Sequence, residues 1–368
     1  MAEALFWFSA ACIFYTYFGY PLLVLLWPRK REVVRRPIHP NISIVVAARD
    51  EQARIDGKIE HLLALPYPAE RRQIIVVSDG STDRTAERLQ AWAVHTGVQT
   101  FHYADHRGKA FALQLGAAHA TGEIIVFTDV RQKLHPDSLE RLLENFADPE
   151  VGCVSGELRF TTEAHPGLKT TVYWKYERWL RRQESLIGSC MGATGAFYGI
   201  RRELFRPMPE GLLLDDVYTP LQIALRGWRV VHEPRAVVFD VEAAGERQEF
   251  HRKVRTLTGN YQLLQYLPEL WSWRAVSLQF FSHKGMRLIV PAWLLIAAVS
   301  NCFLAGRFYR TVLLAQGVFY LAAVLGAVFP TKRMSQLAGI PHAFVMLNGA
   351  ALLATIRFLS GRIPAWKK

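Results

Sequence analysis

The chain has 368 residues, 51% of them hydrophobic, and a formal charge of +12 at pH 7. That hydrophobic share is high for a wholly soluble protein, and the charge suits an anionic membrane surface and anionic substrates. No helix-turn-helix, zinc-finger or RNA-binding pattern accompanies it, so nucleic acid is not an expected partner, and Cys12, Cys153, Cys190 and Cys302 lack the spacing of a disulfide frame or a metal site.

The first element is a charge-free run from Ala4 to Trp27, near the ~20 residues that a spanning helix needs. Glu3 precedes it, while Arg29, Lys30, Arg31, Arg35 and Arg36 follow. That order argues for an uncleaved helix over residues 1–28 rather than a signal peptide, with the middle of the chain on the cytoplasmic side. After the linker to Pro40 come a strand at Ile42 to Ala47 and a helix that Pro66 and Pro68 close. A strand at Gln73 to Ser78 and a helix from about Thr82, capped by Ser81 or Thr82, follow. A strand at Val98 to Tyr103, a helix at Lys109 to Ala120 and a strand at Glu123 to Thr128 continue the alternation. The pattern predicts an α/β domain over residues 29–250, with a mainly parallel sheet and helices on both faces. Beyond Val151 the sequence is less regular: a strand near Gly156 to Phe160, a basic amphipathic helix from Lys169 to Glu184, and a Gly-rich stretch from Gly188 to Gly199. Residues 251–285, mixed apolar and basic with Trp271, Trp273, Phe280 and Phe281, suit helices lying in a membrane interface. Charge-free runs at Leu288 to Gly306, Thr311 to Thr331 and Met334 to Ile356 predict further spans over 286–368, with Trp293, Phe308, Tyr309 and Tyr320 near their ends. Three such crossings leave the C-terminus outside; Arg362, Lys367 and Lys368 argue against that, so one span could be re-entrant.

Three apolar runs end in acid: Ile74 to Ser78 at Asp79, Ile124 to Thr128 at Asp129, and Leu212 to Leu214 at Asp215-Asp216. Carboxylates at strand exits stand where open α/β sheets bind ligands. Asp79-Gly80-Ser81-Thr82-Asp83 is either such a ligand edge or an Asp-Gly turn with a Thr cap. Asp129 is either a turn residue or a ligand for Mg2+ or Mn2+ bridging phosphate oxygens. Asp215-Asp216 is either an acidic helix N-terminus or a pair that raises its own pKa to serve as general base. Arg107-Gly108-Lys109 could grip a diphosphate, or be a solvated basic turn. Arg252, Lys253 and Arg255 are either membrane anchors or cations that neutralise a leaving diphosphate.

In this order, Ala47-Ala48-Arg49-Asp50-Glu51, Asp79-Gly-Ser, Gly108-Lys109, Asp129, Gly192-Ala-Thr-Gly195, Asp215-Asp216 and the arginines resemble a membrane-embedded family 2 glycosyltransferase of GT-A fold. Its relatives are the hyaluronan, chitin-oligosaccharide and cellulose synthases. The resemblance runs from about Ile42 to Lys284 and the flanking helices. It implies that Ala47, Glu51 and Asp79 contact the nucleoside, with Lys109 and Arg252 near the diphosphate. By the same resemblance Asp129 is the first Asp of the metal motif, for Mg2+ or Mn2+, and Gly192, Thr194 and Gly195 belong to the acceptor loop. Asp216 is the base beside Asp215, and Arg255 is the Arg of a Gln-x-x-Arg-Trp motif. Two departures stand out: Arg131 replaces the second metal-motif Asp, and Arg252-Lys-Val-Arg255-Thr256 lacks both Gln and Trp.

The expected activity is an inverting transfer of a hexosyl or N-acetylhexosaminyl group from a nucleotide sugar, of the UDP type, to a glycan or a lipid-linked acceptor at the cytoplasmic membrane face. The missing Trp tilts the choice towards a single addition to a lipid-linked acceptor. A catalytically silent glycosyltransferase-like membrane subunit is the alternative. Membrane lipids are partners on either reading, and a homo-oligomer is left open. A Rossmann dehydrogenase is disfavoured because no G-x-G-x-x-G follows the first strand.

Overall fold

The computed structural model of the chain describes residues 1–28, 31–160, 168–240, 246–329 and 332–362. Arg29, Lys30, Lys367 and Lys368, which entered the expected orientation, lie outside them. The N-terminal helix α1 (Ala2–Phe14) continues through a π-helical turn (Tyr15–Gly19) into α2 (Tyr20–Leu26). The basic residues after it are held on the domain: Arg31 pairs with Glu150, and Arg35 Nε lies 2.8 Å from Glu233 and 3.1 Å from Asn145 Oδ1.

Among the described residues, one sheet is built from β1 (Ile42–Ala48), β2 (Arg72–Asp79), β3 (Val98–Tyr103), β4 (Ile124–Thr128), β5 (Lys133–Leu134), β6 (Val151–Phe160), β7 (Phe197–Arg201) and β8 (Arg229–Asp240). Their order is β3-β2-β1-β4-β7-β6-β8-β5. The half from β3 to β4 is parallel, as its alternation with helices predicts. The other half is mixed: β7 lies antiparallel between β4 and β6, and β8 runs parallel to β6 but antiparallel to β5.

Helices cover both faces, so β1 is buried at every position and needs no polar alternation. Side chains alternate across the pleat. Val45, Ala47, Ile75, Val77, Ile125 and Phe127 therefore face one core, while Ile44, Val46, Ile74 and Val76 face the other. The second core is closed by α3 (Ile55–Leu63), α4 (Thr85–Trp92) and α6 (Ser138–Leu143), the first by α5 (Lys109–Ala118) and α8 (Asp215–Leu225). The basic amphipathic helix expected after β6 is α7 (Leu168–Ile187). α4 starts at Thr85 rather than Thr82, because Ser81 and Thr82 are engaged by the loop after β1: Asp50 N donates to Ser81 Oγ, and Thr82 N donates to Asp50 Oδ1.

α9 (Glu246–Tyr266) lies between the domain and the apolar C-terminal helices. Beyond it, α10 (Ala275–Phe280), a π-helical turn (Phe281–Gly285) and α11 (Met286–Cys302) run on as one helix, followed by α12 (Arg307–Val328) and α13 (Lys332–Leu359). Among the described residues, four segments are long and apolar enough to cross a membrane: Ala2–Leu26, Ala275–Cys302, Arg307–Val328 and Leu337–Leu359. The first C-terminal one begins at Ala275, inside the stretch expected to lie in the interface. It can do so because its polar residues turn inward: His283 Nδ1 is 2.8 Å from Glu184 Oε1, its Nε2 is 3.2 Å from Glu177, and Arg287 pairs with Glu177. α9 itself packs on α13, with Val254 against Ala350 and Ala354 and Tyr261 Oη 2.8 Å from Thr355 Oγ1.

Candidate active site

β1 and β4 are neighbours, and the order runs away from them in opposite directions, so their C-terminal ends open the crevice where α/β sheets bind ligands. Ala47 stands near the end of β1. The loop beyond it is joined to the loop after β2: Glu51 N donates to Thr85 Oγ1 (2.8 Å) and Gln52 N to Asp83 (3.1 Å). Glu51 itself pairs with Arg54 at 3.1 Å.

At the end of β2, Asp79 is 0% exposed. Its carboxylate accepts hydrogen bonds from Tyr103 Oη (2.9 Å), Arg107 N (2.8 Å) and Gly108 N (3.0 Å), and His106 Nδ1 lies 2.7 Å away. Burial, and then the bond to Asp79, push the Tyr103 hydroxyl well above its ordinary value. Gly80 has φ +54°, and a Cβ there would lie 2.6 Å from His106 N, so this turn requires glycine. The carboxylate expected at a nucleoside is thus turned onto the protein's own 103–108 loop, which delivers Lys109 to the crevice at the start of α5.

Lys109 Nζ lies 2.8 Å from Asp129 Oδ1 and 3.6 Å from Asp215 Oδ2. Burial works against its charge, but Asp129, Asp215 and Asp216 outweigh it and hold the ammonium above its ordinary pKa. Asp215 is pushed up to about 6, first by burial, then by Asp216 and Asp129, with Lys109 opposing. Its Oδ2 is buried and has no hydrogen-bond partner among the described residues. Asp216 is half-buried, and its Oδ2 accepts from Gly195 N at 3.1 Å. A Cβ at Gly195 would come within 2.9 Å of that oxygen, so glycine lets the acceptor loop close on the carboxylate. Ala193 N donates to Asp216 O (2.7 Å) and Thr194 N to Ser155 Oγ (3.0 Å), while Gly192 takes φ +132° beside Val217.

Arg131 points away from this cluster, 2.5 Å from Asp240, which also accepts from Gln132 Nε2 at 2.8 Å. No cation from that position opposes an ion at Asp129. Among the described residues no three His, Cys, Asp or Glu side chains converge as a metal site. One carboxylate about one-third exposed nevertheless fits Mg2+ or Mn2+, ions commonly held by one or two carboxylates plus substrate phosphates.

Lys58 was not singled out from the sequence. It is 3% exposed, and its Nζ donates to Thr128 Oγ1 (3.1 Å) and Gln132 O (2.8 Å), bracketing the loop that carries Asp129. Burial lowers its pKa to about 7, with Asp129 opposing. The signal lay in the spacing: Ile55, Lys58, Ile59 and Leu62 form the buried face of α3, which puts a lysine on an apolar stripe. On α9, Arg252 pairs with Glu249 of the same helix, and Lys253 Nζ lies 3.7 Å from that carboxylate. Arg255 lies one turn before Gly259, where α9 touches Leu214 just ahead of the acid pair, and Gln262 binds Leu213 N at 3.0 Å.

The model of glycosyl transferase family 2 matches residues 43–208, from β1 through the acceptor loop and β7. Residues 43–208 form a family 2 glycosyltransferase domain. Its relatives include poly-β-1,6-N-acetyl-D-glucosamine synthases. The one from Staphylococcus aureus (strain COL) is 24% identical over 229 residues, covering 61% of this chain and 55% of the relative. The one from Staphylococcus epidermidis is 24% identical over 237 residues, covering 63% and 57%. The chain thus spans little more than half the length of these curated relatives. A solved mannosyltransferase from Pyrobaculum calidifontis, in complex with GDP-Man and Mn2+, superposes with a TM-score of 0.75 at 24% identity, covering 98% of this chain and 100% of that one. The glycosyltransferase domain therefore has the GT-A-like mixed sheet that the motif order implies, with one apolar helix before it and three after.

Proposed function

We propose that the protein is an inverting, membrane-bound glycosyltransferase that moves a sugar from a nucleotide-sugar donor to a glycan or lipid-linked acceptor, forming a β-linkage at the cytoplasmic membrane face. The observation that carries this is the meeting of Lys109, Asp129, Asp215, Asp216 and the Gly192–Gly195 loop at one sheet edge. The synthase relatives and the sugar nucleotide and Mn2+ of the mannosyltransferase support the same chemistry.

Asp216 is the general base. Its carboxylate, oriented by Gly195 N–H, takes the proton of an acceptor hydroxyl whose oxygen bonds to the anomeric carbon. The bond from that carbon to the phosphate oxygen breaks on the opposite face, and the nucleoside diphosphate leaves with the electron pair, inverting an α-linked donor to a β-linked product. Lys109 and Arg255 meet the charge that develops on the diphosphate. Asp129 would hold a divalent cation, which adds charge neutralisation at the leaving group. Ala47 and Glu51 line the nucleoside side, and Asp79 acts through the loop it holds. The structural residues of the Arg131 side keep the rest of the metal loop turned to Asp240.

A donor screen on detergent-purified full chain tests the reading: UDP- and GDP-sugars with Mn2+, nucleoside diphosphate release as readout, and mass spectrometry of the product. Release with one donor, and a mass gain of one or more sugars on the acceptor, is expected. No release from any donor would instead favour the catalytically silent subunit.

A further inference from the structure

Lys109 stands where two roles compete. Its ammonium is 2.8 Å from Asp129 Oδ1 and 3.6 Å from Asp215 Oδ2, only 17% of its side chain is exposed, and Asp215 Oδ2 has no hydrogen bond among the described residues. Asp129 is also the carboxylate assigned to the divalent ion. A lysine and a divalent cation cannot both sit against it cheaply, since like charges at contact distance repel strongly in a partly buried site. The same lysine opens α5, directly after Gly108, whose φ of +95° and N–H bond to Asp79 set the direction in which the helix starts. Its long stem lets the ammonium swing without moving that anchored backbone.

We propose that Lys109 is a place-holding cation: it occupies Asp129 until a donor diphosphate arrives, then moves to the phosphates and hands Asp129 to the metal ion. The proposal rests on the reading that Asp129 holds the ion. The diphosphate gives the ammonium a new anionic partner and gives the ion the oxygens that no trio of described side chains provides. Metal and nucleotide therefore bind as a linked pair, and each raises the other's affinity by the same factor. The exchange also leaves the acid cluster with a cation against it at every stage, first the Lys109 ammonium and then a divalent ion. No covalent bond changes; only ion pairs are traded.

The test is a Mn2+ titration followed by electron paramagnetic resonance of the free ion. It uses detergent-purified full chain, without nucleotide and with UDP or GDP as the probe. Lys109→Met and Lys109→Gln, which remove the charge, are expected to tighten nucleotide-free Mn2+ binding on the order of tenfold. Lys109→Arg, which keeps the charge, should stay at the wild-type value. Either neutral variant that folds, judged by a cooperative thermal transition, decides the matter. Unchanged or weaker nucleotide-free binding overturns the place-holder role. Asp129→Asn separates the two claims: loss of nucleotide-dependent Mn2+ binding there upholds the metal reading even if the lysine variants fail. Wild-type protein that binds no Mn2+ with either nucleotide overturns the metal reading and the exchange together.

Discussion

Asp79 and Asp215 are both buried acids at the edge of one sheet, 0% and 5% exposed, yet their environments are opposite. Asp79 spends both oxygens on Tyr103, His106, Arg107 and Gly108. Asp215 keeps Oδ2 without a hydrogen bond, faces two other carboxylates, and is pushed up to about 6 by burial and by those neighbours. A buried carboxylate with every lone pair satisfied stabilises its surroundings, whereas one left under-satisfied costs stability and is retained for chemistry. The contrast divides the crevice into a hydrogen-bonded wall that places Lys109 and an under-satisfied acid cluster to which the proposed mechanism gives the chemistry.

The largest effect that can break this contrast is on the hydrogen-bonded side. Asp79→Ala leaves buried donors without an acceptor and is expected to lower folding stability by about 3 kcal/mol or more, read as a fall in denaturation midpoint. A loss below about 1 kcal/mol would remove the distinction. Asp215→Asn should act in the opposite direction. Because folding raises this carboxyl's pKa from 3.8 to about 6, the ionised form costs stability above that range and nothing below 3.8. The variant is expected to be more stable at neutral pH, on the order of 1–2 kcal/mol once Lys109's lost partner is counted, and the gain should vanish as pH falls through 6 towards 3.8. A gain that persists in acid would place its cause elsewhere. In turnover, an acid limb near pH 6 set by Asp215 should flatten in the same variant.

Lys58 sharpens the comparison, being a hydrogen-bonded residue that serves the acid cluster. Lys58→Met removes both bonds to the Thr128–Gln132 loop and is expected to lower transfer about tenfold through misplacement of Asp129, while changing stability by less than about 1 kcal/mol. Equal activity would leave Lys58 a packing residue. The smallest effect belongs to Arg131→Ala, whose guanidinium faces Asp240; transfer rates should change less than about threefold. A larger fall would bring Arg131 to the phosphates.

The parallel half of the sheet is legible in the sequence because strands buried on both faces appear as near-continuous apolar runs, as in residues 44–48 and 124–127. β7 and β8 are not. β7 is a short strand with Gly199 at its centre, and β8 carries Arg229, His232, Glu233 and Arg235 around Pro234. Those polar groups are tolerated because partners distant in sequence meet them: Asp148 for Arg229, Glu157 for His232, Arg35 for Glu233 and Glu144 for Arg235. No local pattern announces such pairs. The same limit applies within the crevice. The acids are visible as strand exits, but whether a carboxylate is satisfied depends on loops elsewhere in the chain, which is why Asp79 and Asp215 look alike in the sequence. Arg31 and Arg35, read as flanks of a spanning helix, likewise bind the domain's own acids.

On the proposed mechanism, the acid pair at the head of α8 performs transfer, with Asp216 as base. The direct measurement is the rate of nucleoside diphosphate release coupled to sugar transfer, for wild type and Asp216→Asn, with the active donor, alongside nucleotide affinity by calorimetry. A fall of about 100- to 10,000-fold in transfer with affinity nearly unchanged is predicted. Transfer within about threefold of wild type would contradict the assignment.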